Sequence, residues 1–204
     1  MPLKYSNIIF DLGNVLFRFN EEELTRLAIG DHPEKAQIAR AVFDREIWDR
    51  LDDGSMDDSE AKNAICSKLP EPLREAACLV FDGWVENMPP IDGMRALLEE
   101  LSHLPCRLFL ISNISHGFVE QYPSIPHIAE TLSFFEKCYF SASLRTVKPD
   151  PRIFQRVLEE NSLDSADCVF IDDSMINIRG AEEVGIQGYL FDGDASKLKS
   201  FLVK

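Results

Sequence analysis

The chain has 204 residues, 45% of them hydrophobic, enough to bury a sizeable core and to fit one domain with a large insertion. Its 35 acidic against 21 basic residues give a net charge of -14, which argues against nucleic-acid and membrane partners, so any anionic ligand must be drawn in locally. The opening MPLKYSNIIFDLGNVLF lacks the uninterrupted apolar stretch of a signal peptide, because Asp11 and Asn14 break it, and no later stretch has membrane-spanning length; a soluble, unprocessed, cytoplasmic protein is expected.

In chain order, the first apolar run, residues 7–10, reads as a buried parallel strand, since it has no polar alternation. Residues 19–90 then read as helices only, over 34–43, 57–69 and 73–87. Asp57 followed by Glu60 resembles a capping box, Asp53-Gly54 is a turn signal, and Pro89-Pro90 closes the segment. The acidic stretch 49–58 reads as a solvated turn, and Trp48 and Trp84 read as core in preference to pocket lining. Beyond it, helical periodicity over 93–104, 151–160 and 176–184 alternates with apolar runs at 107–111, 137–140, 168–171 and 188–191. The second of these helices opens on Pro151, a residue preorganised for the first helical position. Alternating strands and helices predict an α/β fold, a three-layer Rossmann-like parallel sheet. Residues 1–18 and 91–204 would form this core and residues 19–90 an inserted all-helical cap. The five cysteines are odd in number and show no C-x-x-C spacing, so reduced thiols are expected instead of zinc or a redox dithiol.

Polar residues sit where three of the apolar runs stop. Asp11 follows IIF, Ser112-Asn113 follow LFLI, and Asp172-Asp173 follow VFI. In an open parallel sheet the carboxyl ends of the strands line the ligand crevice, so these residues converge in space. Lys148, in TVKPD after the third run, can join them, because Pro149 favours an extended backbone before it. Three carboxylates, a lysine and a serine suit a hard cation and a phosphate held together. Magnesium takes oxygen ligands and few protein carboxylates, the phosphate completing its shell. Lys148 supplies a point charge, Ser112 a hydrogen bond, and one aspartate remains free as a phosphoryl acceptor.

The order of Asp11 in FDLGNV, Ser112 in LISN, Lys148 in VKP and Asp172-Asp173 in FIDDSMIN resembles the four motifs of the haloacid dehalogenase-like hydrolases over the whole chain. FDLGNV is most similar to the sugar-phosphate phosphatase branch that includes bacterial glucose-1-phosphatases, and to the phosphatase domain of soluble epoxide hydrolases. The resemblance implies a magnesium-dependent phosphatase acting on a small phosphorylated metabolite, with a sugar phosphate as one candidate, through an aspartyl-phosphate. It implies Asp11 as nucleophile and metal ligand, Ser112 and Asn113 as phosphate contacts, and Lys148 as the charge that steadies Asp11 and the phosphoryl group. Asp173 and the Gly13 carbonyl would be further Mg2+ ligands, Asp172 would act through water or orient the site, and Asn177 would hold the motif loop.

One position departs from the family pattern. Two residues after the nucleophile, where most phosphatases of this family carry an aspartate acid/base, stands Gly13, which moves no proton. A missing general acid lowers rates by about 10²–10⁴ without removing nucleophile or metal. His116 is close enough to Ser112 in sequence to be a substitute donor, although most lone histidines are not. The alternatives are a metal-independent 2-haloacid dehalogenase, which also lacks the second aspartate, and a catalytically weak phosphate-binding relative. A receiver domain orders its acidic pair and phosphate acceptor differently, and no G-x-G-x-x-G follows the first strand to hold a dinucleotide. The sequence leaves the oligomeric state open.

Overall fold

The computed structural model describes residues 3–203. Five parallel strands form one sheet: β1 (Asn7–Phe10), β2 (Arg107–Ser112), β3 (Lys137–Phe140), β4 (Cys168–Asp172) and β5 (Gln187–Leu190), in the order β3-β2-β1-β4-β5. The central strand β1 lies between β2 and β4, with Phe10 level with Leu110 on one side and Ile171 on the other. The chain builds outward on one side through β2 and β3 and then returns to β4 and β5. The reversal falls at the carboxyl end of β1, which is where such sheets open a crevice. Four strands start where the sequence places them; β5 begins and ends one residue earlier than the expected 188–191.

Six helices separate β1 from β2: α1 (Glu21–Ile29), α2 (Lys35–Val42), α3 (Arg45–Asp52), α4 (Asp58–Ser67), α5 (Glu71–Gly83) and α6 (Met94–Ser102). No strand interrupts the first five. The capping box at α4 is present, the Glu60 amide donating to Asp57 Oδ1 at 2.8 Å and the Asp57 amide to Glu60 Oε2 at 3.1 Å. Helices α1 and α3 add to the three spans named from the sequence in this all-helical segment, and Asn20 and Asp44 cap them with side-chain oxygens. The chain enters and leaves this segment side by side: the Arg18 amide donates to the Pro89 carbonyl at 2.7 Å and the Ile91 amide to the Leu16 carbonyl at 2.8 Å. The later helices are α7 (His116–Gln121), α8 (Pro126–Leu132), α9 (Ser141–Leu144), α10 (Pro151–Asn161), α11 (Met175–Glu182) and α12 (Ala195–Leu202).

Strand periodicity explains the layers. Neighbouring residues of a strand point to opposite faces. Ile9, Phe109, Ile111 and Phe170 meet Phe154, Val157 and Ile178 of α10 and α11 on one face. On the other, Ile8, Phe10, Leu108, Leu110 and Ile171 join Leu97, Leu98, Leu198 and Leu202 of α6 and α12. Burial on both faces is why the runs show no polar alternation. The second core is continuous with the helical segment through Leu24, Ile38, Ile47, Leu51, Val80 and Trp84. Each fully buried side chain of this kind contributes about 1.5–3 kcal/mol, so the segment is firmly anchored. Among the described residues no helix is long and apolar enough to cross a membrane. The five cysteines are free; Cys66 and Cys78 meet across α4 and α5 with sulfurs 3.8 Å apart.

Candidate active site

The residues that end the three central strands come together. Asp11 follows β1, its backbone amide bonded to the Ile171 carbonyl of β4 at 2.9 Å, which fixes where its side chain starts. Lys148 arrives from the loop after α9 and is buried, its side chain 1% exposed. Its ammonium sits 2.6 Å from Asp11 Oδ1 and 2.8 Å from Asp172 Oδ2. The Lys148–Pro149 peptide bond is cis. Burial pushes the Asp11 carboxyl up to about 7; Lys148 pulls it down, while the charge of Asp172 pushes it further up. For Lys148, burial works against the charge, but Asp11 and Asp172 outweigh it and raise its pKa.

Asp11, Asp172 and Asp173 present oxygens within 4.8 Å of one another. Carboxylates that close disfavour one another's charge, and positive charge at the site relieves this. The three are not equivalent. Asp172 is fully buried and both its oxygens are taken: Oδ1 accepts from the Ser174 amide at 2.8 Å, Oδ2 from Lys148 at 2.8 Å, and the Asn177 amide reaches both at 3.1 Å. Asp173 is more open. It accepts one bond, from Asn14 Nδ2 at 3.1 Å, and partial burial raises its pKa. Asp11 and Asp173 thus retain free oxygens and Asp172 does not.

The other motif residues divide their work differently from the sequence expectation. Ser112 is buried at the end of β2 and lines the cavity, its hydroxyl making a single weak contact of 3.5 Å. The side chain of Asn113, expected as a phosphate contact, is instead bound to the lysine loop. Its Nδ2 donates to the Lys148 carbonyl at 2.9 Å and its Oδ1 accepts from the Lys148 amide at 2.7 Å. Its side chain is thus the part that positions Lys148. Gly13 lines the cavity, and a Cβ built there meets nothing nearer than Phe19 Cβ at 4.0 Å. Neither space nor backbone conformation requires glycine at that position.

Above these residues lies a cavity of about 520 Å³. Its floor holds Asp11, Ser112, Lys148 and Asp173; the helical segment contributes Phe19, Phe43, Arg45, Trp48, Asp52 and Trp84. Trp48 and Trp84 are therefore core and cavity wall at once, packed edge-to-face with ring centres 5.0 Å apart. His116 does not line the cavity; its ring points at the close-packed turn around Gly54. The stretch 49–58 is not a solvated turn, since Asp52 ends α3 in the cavity and Gly54 packs against Ala142. Sequence reading also missed Asn14. Held at a positive φ of 54°, it links Asp173 to the Phe19 amide, which Oδ1 bonds at 2.9 Å. An Asn that tolerates the left-handed region beside a strand end was the available signal.

The family model described as haloacid dehalogenase-like hydrolase matches residues 8–190. The chain belongs to that family. It is similar to the sesquiterpene phosphatase astK of Aspergillus oryzae, 24% identical over 92% of this chain and 90% of that protein. Its fold matches a solved HAD family enzyme of Bacteroides thetaiotaomicron in complex with magnesium and inorganic phosphate, at TM-score 0.67 and 24% identity, over 95% of this chain and 98% of that one. It also matches a dehalogenase with an intermediate complex, at TM-score 0.74 but 14% identity, over all of both chains. A phosphatase and a dehalogenase are thus both among the proteins to which the chain is similar.

Proposed function

We propose that the chain is a magnesium-dependent phosphoric monoester hydrolase that passes the phosphoryl group through Asp11. The observation that carries this reading is the unequal state of the three aspartates. Asp172 is saturated by protein donors, whereas Asp11 and Asp173 keep free oxygens side by side. A hard cation fits such a donor set, with Asp11, Asp173 and the Gly13 carbonyl as its protein oxygens. Asp172 and Asn177 orient the loop that carries Asp173. The phosphatase relative and the magnesium–phosphate complex of a structural neighbour support the same chemistry.

When bound, Mg2+ would supply charge neutralisation for the phosphoryl oxygens. Lys148 favours the ionised form of Asp11 and orients it through the 2.6 Å contact. One Asp11 carboxylate oxygen attacks phosphorus, the ester P–O bond breaks, and the aspartyl-phosphate forms. Ser112 and the Asn113 amide donate to the phosphoryl oxygens. Water then attacks phosphorus, returning Asp11 and inorganic phosphate. Residues 1–18 and 91–204 act as the catalytic core in this reading, and residues 19–90 as a cap whose aromatic wall receives the body of a small phosphorylated metabolite.

The dehalogenase alternative is weaker on electrostatic grounds. A 2-haloacid brings a carboxylate of its own to a floor where Asp11, Asp172 and Asp173 surround one buried lysine, and Arg45 on the cavity wall, paired with Asp49, offsets little of that repulsion. A panel of phosphorylated metabolites assayed with magnesium tests the proposal. Phosphate release that stops on exhaustive chelation and returns with magnesium is expected; halide release with no dependence on metal overturns it.

A further inference from the structure

Gly13 leaves the proposed reaction without a proton donor at the usual place, and of the two cavity carboxyls that no other task claims, Glu21 is exposed and Asp52 is half-buried. Asp52 closes α3 and lines the cavity with Asp11, Ser112 and Lys148. Among the described residues its carboxylate makes no hydrogen bond and no ion pair within 4.0 Å, whereas its backbone carbonyl accepts from Ser141 Oγ at 2.6 Å.

That backbone contact matters. The Ser141 hydroxyl also accepts from the Ile114 amide at 2.8 Å, so the end of α3 is tied to the loop after β2, beside the phosphate-binding residues. A second clamp lies two residues on. Gly54 has a positive φ of 73°, and a Cβ there would fall 2.6 Å from the Ala142 carbonyl, so the turn packs against α9 at backbone distance. Asp52 is therefore held over the floor of the cavity from the helical segment.

We propose that Asp52 is the general acid and base of this enzyme, standing in from the cap for the aspartate that Gly13 replaces. The inference rests on the phosphatase reading above. In the first step the Asp52 carboxyl gives its proton to the ester oxygen as the P–O bond breaks, so that a neutral alcohol leaves and Asp52 becomes a carboxylate. In the second, Asp52 takes a proton from the water that attacks the phosphorus of the aspartyl-phosphate; the Asp11 O–P bond breaks, and inorganic phosphate and a protonated Asp52 result.

The surroundings suit a group that changes protonation near neutrality. Burial raises the Asp52 carboxyl to about 7, opposed by Arg45 and Lys148 and aided by Asp49 and Asp53. Arg45 and Asp49 face it from α3, Asp53 from the following turn and Lys148 from the core, while Glu21, Asp11 and Asp173 line the same cavity. His116 is directed to the Gly54 turn and does not compete for the role.

A leaving-group comparison on the full chain with magnesium tests the assignment. Asp52→Asn keeps the shape and the Ser141 contact. It should lower kcat/KM, which reports the first step, on a primary alkyl phosphate by about 10²-fold or more, and on nitrophenyl phosphate, whose phenolate leaves unaided, by less than about 5-fold, while kcat on both falls through the second step. The alkaline fall in kcat/KM of the unaltered enzyme, centred near the pKa of Asp52, should vanish in the variant. Adding Gly13→Asp to Asp52→Asn should restore part of the alkyl phosphate rate, which a merely structural defect would not allow. Equal loss of kcat/KM on both substrates, no loss on either, or an unchanged alkaline limb overturns the role of Asp52 while leaving the phosphatase reading intact. If the unaltered chain shows no magnesium-dependent turnover of either ester, that reading falls and this assignment with it.

Discussion

The sheet and the helical segment contribute to one cavity in opposite ways. The sheet supplies its groups by topology: the three central parallel strands end at the same level, and Asp11, Ser112 and Asp172-Asp173 converge because β1 lies between β2 and β4. The helical segment supplies its groups by docking. Asp52 and Trp48 reach the cavity because α3 is clamped to the core at Ser141 and Ala142. Strand ends are fixed by a hydrogen-bonded ladder, whereas a docked helix is only as well placed as its contacts. Changes on the sheet side should therefore damage chemistry and stability together, and changes on the helical side should damage rate and substrate choice first.

The largest effect is expected at Asp11. Asp11→Asn keeps the volume but loses the nucleophile, and turnover should fall a hundredfold or more with an unchanged circular dichroism spectrum; residual activity above about a hundredth of the unaltered enzyme would contradict the covalent route. Lys148→Ala comes next. It leaves Asp11 and Asp172 buried without their cation, and urea unfolding in the absence of metal should show about 3–5 kcal/mol lost, as for breaking a buried pair. A loss below about 1 kcal/mol would mean that the two carboxylates are not charged together in the metal-free protein.

On the helical side, Gly54→Ala sets a side chain against the Ala142 carbonyl at a positive φ. About 1–2 kcal/mol of stability should go for the left-handed conformation alone. The rate on alkyl phosphates should fall more than the rate on nitrophenyl phosphate, because the turn that carries Asp52 moves; identical falls would separate the turn from proton transfer. Smallest is Gly13→Asp. With the nearest atom 4.0 Å from its Cβ, the change should alter the melting temperature by no more than a few degrees, and a large drop would show that glycine is required by structure after all.

The same contrast explains what could be read beforehand. Buried strands bounded by Asp11, Ser112 and Asp172 are visible in a sequence because an apolar run stops abruptly at a polar group, and the order of those stops carries the topology. Asp52 has no such boundary. It sits in an acidic stretch that looks solvated, and the amphipathic pattern of Ile47 and Leu51 that buries one face of α3 is only two residues deep. The family resemblance implies Asn113 as a phosphate contact, yet its side-chain amide pairs with a backbone 35 positions away, a contact that no local pattern announces. Asn14 was hidden for the opposite reason, being read only as an interruption of an apolar run.

The central claim is that Asp11 carries the phosphoryl group, and acid quenching tests it most directly. The enzyme is mixed with magnesium and a phosphate ester labelled at phosphorus, stopped in acid within its first turnover, and digested for mass spectrometry. The account predicts label on the peptide containing Asp11, released by mild base and absent from Asp11→Asn. Turnover with no trapped label, or label that persists in Asp11→Asn, would contradict it.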